Sequence, residues 1–167
     1  MRVLKLLALF AVLTAVTAVV AQANSAGQPW GPATPHFNLE AVLRPVTGGP
    51  DNAFGLVRFR QPKDADTIVY LDVWVRGLTP SHSYYLQRAT DSMVNDVCVG
   101  TNWLTLGQGP VPEQITTDQT GTVRADMFRS LPAALLGTQF DIQFRVIDAV
   151  TSAVVLQSAC YQFTVSQ

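Results

Sequence analysis

The 167-residue chain has only two histidines, His36 and His82, and only two cysteines, Cys98 and Cys160. Copper and zinc sites draw mainly on imidazole nitrogens, so no histidine-rich metal site can be assembled from this inventory. Beyond the first two dozen residues no apolar run is long enough to cross a bilayer as a helix, which needs roughly 20 residues. No Asn-x-Ser/Thr triplet occurs, so N-linked glycosylation is not expected. Gly-x-Ser-x-Gly and EF-hand loop spacings are also missing. Nor is there a long stretch with helical periodicity, an internal repeat or a low-complexity tract.

The N-terminus has the three parts of a secretory signal. Arg2 and Lys5 give a positive start, Leu6 to Val20 is apolar, and Ala21-Gln22-Ala23 is a small-residue cleavage site. Cleavage after Ala23 is predicted, and the absence of a cysteine after the apolar run argues against a lipid anchor. Losing Arg2 and Lys5 leaves nine of eleven basic residues against twelve acidic ones, a net charge of −3. That balance gives no electrostatic case for nucleic acid, which needs clustered Lys and Arg. Residues 24–167 suit one domain with a real core. In an exported chain the two remaining cysteines are expected to pair. Closing the loop between Cys98 and Cys160 would stabilise the fold by about 4 kcal/mol in the chain-entropy picture.

Residues 24–36 are rich in Gly and Pro and read as an extended arm. From Phe37 onward apolar residues recur at every second position, the period of a strand with one buried face. The sets are Phe37/Leu39/Ala41/Leu43, Gly55/Val57/Phe59, Val69/Leu71/Val73/Val75, Val123/Ala125/Met127, Phe140/Ile142/Phe144/Val146 and Tyr161/Phe163/Val165. A further strand is predicted from Ser83 to Ala89, followed by a long region, Asp91 to Gln114, with at most a short strand near Trp103. Thr117 to Gly121 reads as a turn. Ser130 to Gly137 reads as one or two helical turns, with Ser130 as N-cap and Gly137 as the stop. Seven or eight short strands and one short helix predict an all-β domain over 37–167. Its expected architecture is an immunoglobulin-like Greek-key sandwich or flattened barrel.

Gly77-Leu78-Thr79-Pro80-Ser81-His82-Ser83-Tyr84-Tyr85-Leu86-Gln87 resembles the Gly-Leu-Thr-Pro…His-x-His stretch of copper/zinc superoxide dismutases. Gly55 to Pro62 is similar to the second strand of that family and its Phe-x-Gln ending. Thr117 to Asp126 is similar to its Thr-Ala-Asp-x-x-Gly-Val-Ala segment, and Ser158-Ala159-Cys160 to its Leu-Ala-Cys. The resemblance covers most of residues 37–167 in order, and it implies a bond between Cys98 and Cys160. It also implies what is missing. The copper-holding His-x-His pair falls on Tyr85 and Gln87, a third ligand near Gln143 or Arg145, and the catalytic arginine near Gln157. The zinc loop falls between Asp91 and Gln114, which holds no histidine. The resemblance therefore implies that superoxide dismutation by the family mechanism is excluded, while the scaffold can persist because fold and site are separable. No cofactor is expected.

Two patches are candidates for binding a protein or glycan partner. Tyr70, Asp72, Trp74 and Arg76 share the far face of one strand, where aromatics among charges make good anchors if exposed. The plainer reading is that the Asp91–Gln114 region, or Trp30 of the arm, folds over them. Tyr84, Tyr85, Gln87 and Arg88 form the second patch. The charged rows Arg58/Arg60, Arg124/Asp126 and Asp141/Arg145 read as solvated pairs. Three weaker readings stand beside these: calcium at Asp64, Asp66, Asp91 and Asp96, copper(I) at Met93 and Met127, and a hydrolytic site around His82. The sequence thus points to an exported, non-catalytic binding or structural module. A metal scavenger or an enzyme using His82 is the alternative.

Overall fold

The computed structural model describes residues 37–62 and 67–165. The expected signal segment, the arm with Trp30 and His36, and Asp64 and Asp66 lie outside these residues. Seven sequence stretches form the longer strands: β1 (Phe37–Pro45), β2 (Phe54–Gln61), β3 (Ile68–Arg76), β4 (Ser83–Asp91), β9 (Val123–Ser130), β10 (Gln139–Asp148) and the pair β11 (Val154–Ser158) and β12 (Tyr161–Thr164). Four strands of two or three residues, β5 (Leu104–Thr105), β6 (Gly107–Gln108), β7 (Val111–Pro112) and β8 (Gln114–Thr116), come from the long connecting region. Among the described residues no helix is long and apolar enough to cross a membrane.

The strands form a flattened, nearly closed barrel. One wall is β1, β2, β3 and β9, all antiparallel, and the other is β4, β10 and β11/β12. The chain crosses between walls from β3 to β4, returns with β9 beside β3, and crosses again so that β10 lies beside β4. Strand β11 joins the walls by pairing with both β10 and β1. Closure on the other side falls to the segment Leu104 to Gly109. Leu106 N donates to Leu86 O of β4 at 2.9 Å, and Gly109 N donates to Phe128 O of β9 at 2.9 Å.

From Leu39 onward, every predicted inward set faces the core. Leu43, Val57, Val75, Phe144, Val146 and Phe163 are essentially inaccessible, and each such side chain contributes about 1.5–3 kcal/mol through burial. Phe59 stands edge-on to Phe163 at 4.5 Å and tilted to Phe144 at 6.0 Å, so aromatics from both walls interlock. The Thr117–Gly121 turn forms as predicted. The Asp118 carboxylate accepts from Thr120 N and Thr122 N, and Gly121 has φ of +75° with its backbone against Leu78, where a side chain would collide.

Two predicted elements differ. Ser130 is not a helix N-cap, because β9 runs through it and the chain stays extended. Leu131 is held by Thr67 at both its N–H and its carbonyl, each at 2.9 Å. The helix is a single 3-10 turn, Ala133–Leu135, preceded by Pro132 and without a side-chain cap. The final strand, expected to run unbroken from about Val154 to Val165, is interrupted at Ala159 and Cys160. There Ser158 Oγ accepts the Phe144 N–H at 2.9 Å in place of a ladder bond.

Candidate functional site

Alternation along β3 places Tyr70, Asp72, Trp74 and Arg76 on the outside of the first wall. The registers of β1, β2 and β9 bring Glu40, Arg58, Asp72 and Asp126 into one cross-strand row, and Leu56, Trp74 and Arg124 into the next. Arg58 Nε donates to Glu40 at 3.2 Å. Most of the other arginines lie against aromatic rings. Arg60 sits 5.8 Å from the Tyr70 centroid, Arg76 and Arg124 sit 5.6 and 5.9 Å from that of Trp74, and Arg44 sits 5.1 Å from that of Phe54. Such contacts contribute about 0.5–1 kcal/mol each at exposed sites. Five arginines stand against three carboxylates on this wall, a local excess of two positive charges on a chain that is acidic overall. Asp72 and Asp126 oppose each other directly. Hydrogen bonding to Asp72, its negative charge and a smaller effect of desolvation push Asp126 above the usual carboxylate range.

The expectation that the Asp91–Gln114 region covers this wall is overturned. Most of the region lies on the opposite wall, and where it crosses back it meets only β9, through Gly107 to Gly109, so the Tyr70 and Trp74 side of β3 is left open among the described residues. Tyr70 is 39% exposed, and two surface grooves of about 660 and 620 Å³ cross the face, sharing Arg58, Asp72 and Asp126. The outside of β10 carries Asp141, Gln143 and Arg145, polar groups that the region contacts.

Those contacts are specific. Cys98 is joined to Cys160, as expected. Asn95 N donates to Asp141 at 2.9 Å, Gln143 Nε2 donates to the Cys98 carbonyl at 3.4 Å, and the Arg145 guanidinium lies 3.9 Å from the Trp103 centroid. Asp141 is fully buried, which corrects its reading as a solvated partner of Arg145. The positions that the resemblance assigns to metal chemistry lie under the same cover, hydrogen-bonded in two linked pairs. Arg145 Nε donates to Gln87 Oε1 at 2.8 Å and Gln87 Nε2 to Thr105 Oγ1 at 3.0 Å. Gln157 Nε2 donates to Gln143 Oε1 at 3.2 Å. Tyr85 accepts from Gln114 at 2.8 Å. Among the described residues no three His, Cys, Asp or Glu side chains converge as a metal-holding group.

The second candidate patch is not one surface. Tyr84 is 2% exposed and belongs to the core, where its hydroxyl accepts from Thr79 N at 3.1 Å. Gln87 is buried on the outer side in the network just described. Arg88 lies on the inner side, at one end of the barrel. Period-two alternation separates these neighbours, and the sequence alone left open which of the two sides was covered.

His82 ties two turns together. Its Nε2 lies 2.7 Å from Asp148 Oδ2, and its ring stands edge-on to Tyr84 at 5.0 Å. Asp148 is held at about 2, chiefly by the backbone N–H groups of Thr151 and Val150 and less by His82. No hydroxyl or thiol is hydrogen-bonded to the ring among the described residues, so the pair lacks the nucleophile that a triad needs. Met127 is buried in the core and Met93 is exposed, so the two thioethers do not form a site. Asp91 and Asp96 sit in the covering region, where both Asp91 oxygens accept backbone N–H groups, from Met93 at 3.0 Å and Val99 at 3.3 Å. Neither a protein-family model nor a curated protein matches the chain.

Proposed function

We propose that the chain is an exported, non-catalytic binding module on a superoxide dismutase-like scaffold without a metal site. Its open wall of arginines and aromatics holds a protein partner with an acidic surface. One observation carries the reading: Tyr70, Trp74 and five arginines share a face that the long connecting region leaves uncovered. Trp, Tyr and Arg are the residues that dominate protein interfaces, because they bring large contact area and strong donors at little conformational cost. Guanidinium groups lying over rings can still offer N–H donors to carboxylates. The disulfide and the signal-like N-terminus support export.

The test is calorimetric titration of the mature chain with poly-L-glutamate, an acidic polypeptide, and with alginate, an acidic polysaccharide. The expected result is poly-L-glutamate binding that weakens as salt rises and is lost in Arg76→Ala/Arg124→Ala and in Trp74→Ala. Binding of alginate alone would move the partner to the glycans. Binding of neither probe, or binding indifferent to these substitutions, overturns the reading.

A further inference from the structure

One end of the barrel holds a cavity of about 410 Å³, within the roughly 300–1,000 Å³ range of small-molecule sites. Its floor is the core itself: Phe59, Leu71, Ile142 and Phe163 are all buried. Half-buried Leu135, from the 3-10 turn, forms part of its rim, and exposed Ser92, Thr138 and Gln139 bring it to the surface. Two arginines, Arg88 of β4 and Arg129 of β9, line this largely apolar space.

The arginines are costly where they are. Both are half-buried, and neither forms an ion pair among the described residues. Arg88 Nη1 donates to Thr90 Oγ1 at 3.1 Å and Arg129 Nη1 to the Gly109 carbonyl at 3.3 Å. Each guanidinium carries five N–H donors, so most of this capacity is unspent. Burial and the charge of Arg129 lower Arg88 from the ordinary guanidinium value, the direction expected when like charges share a poorly solvated site. Asp91, the carboxylate in the lining, does not neutralise them, because its oxygens are taken by Met93 N and Val99 N. Outside the described residues, the N-terminal arm (24–36) contains no Asp or Glu, and the acidic side chains are Asp64 and Asp66. Two concentrated positive charges over an apolar chamber are complementary to a molecule with an anionic head and a hydrocarbon body.

We propose that this cavity binds a small carboxylate amphiphile, its head bridging Arg88 and Arg129 and its apolar body filling the barrel end. The site is separate from the open wall and stands or falls independently of the partner proposed there.

The test is calorimetry on the mature protein with decanoate, decanol and acetate. Decanoate is expected to bind one to one, with decanol at least about tenfold weaker for want of the charge-assisted hydrogen bonds and acetate at least about tenfold weaker for want of the apolar body. Arg88→Met and Arg129→Met should each lower decanoate affinity about tenfold while leaving decanol unchanged, and Leu135→Trp should block both. Circular dichroism checks that each variant is folded. The ligand-free Arg88→Met protein should also melt higher than the parent, since it loses a half-buried unpaired charge. An arginine with a purely structural role would instead lower the melting temperature and leave decanoate binding alone. Decanol binding as tightly as decanoate, unchanged decanoate affinity in both arginine variants, or no binding up to millimolar concentration overturns the proposal. The last result does so even if the arm occupies the cavity.

Discussion

The Arg145 guanidinium lies 3.9 Å from the centroid of the Trp103 ring, so a residue of the long connecting region is stacked on the second wall of the barrel. Burial there lowers Arg145 from its ordinary value, and its Nε bond to Gln87 compensates part of that cost. Trp103→Ala should therefore loosen the whole cover. The expected loss is about 1–3 kcal/mol from the lost stacking and burial. It should be accompanied by faster amide exchange at Asn95 and Val97, measurable by hydrogen exchange and denaturant melts.

The same network bears on metal. Gln87, Gln143, Arg145 and Gln157 satisfy one another or their cover, and none is a good donor to copper or zinc. Elemental mass spectrometry on the purified protein, after incubation with copper and zinc and desalting, should find well below one metal per chain. Near-stoichiometric metal would reopen the scavenger reading.

Acid should unfasten the turn that Asp148 organises. Its folded value of about 2 lies below the ordinary 3.8, so the folded state favours the carboxylate. The resulting stability is fully present above about pH 4 and is lost as pH falls toward 2. Asp148→Asn should lower the melting temperature at neutral pH, with the gap from the parent closing across that window.

Asp126 works in the opposite direction. Raised by Asp72, it destabilises the fold at neutral pH, and the penalty is relieved as pH falls through its elevated folded value toward 3.8. Asp126→Asn should melt slightly higher than the parent at pH 7 and match it in acid. A lower melting temperature at pH 7 would show that Asp126 serves the arginines more than it opposes Asp72.

Reduction should matter more than any single charge. Cys98 and Cys160, 62 residues apart in sequence, tie the cover to the break between β11 and β12. Cys98→Ser/Cys160→Ser should cost roughly 2–4 kcal/mol in a urea melt.

The barrel was legible because period-two runs such as Val69/Leu71/Val73/Val75 bury one side and expose the other, and that pattern needs no partner to be read. The same runs could not say which wall the long region covers. That choice rests on contacts between distant residues, Trp103 with Arg145 and Asn95 with Asp141, which have no local periodicity. Arg88 shows the same limit: it was singled out beside Gln87, yet the two lie on opposite sides of β4. Arg129 was missed because nothing in Phe128-Arg129-Ser130 marks it as facing a cavity. The one available hint was a charged residue in phase with the buried positions of its strand.

The segment from Leu104 to Gly109 makes its backbone bonds to β4 on one side and β9 on the other. The long strands therefore offer few unpaired backbone groups, and the path through the sheet ends in β5 and β7, each only two residues long. A bare strand edge is a template for pairing with a second copy and for fibre growth. If this strap is cut or displaced, β4 and β9 become such templates, so self-association should be the first failure of the damaged molecule.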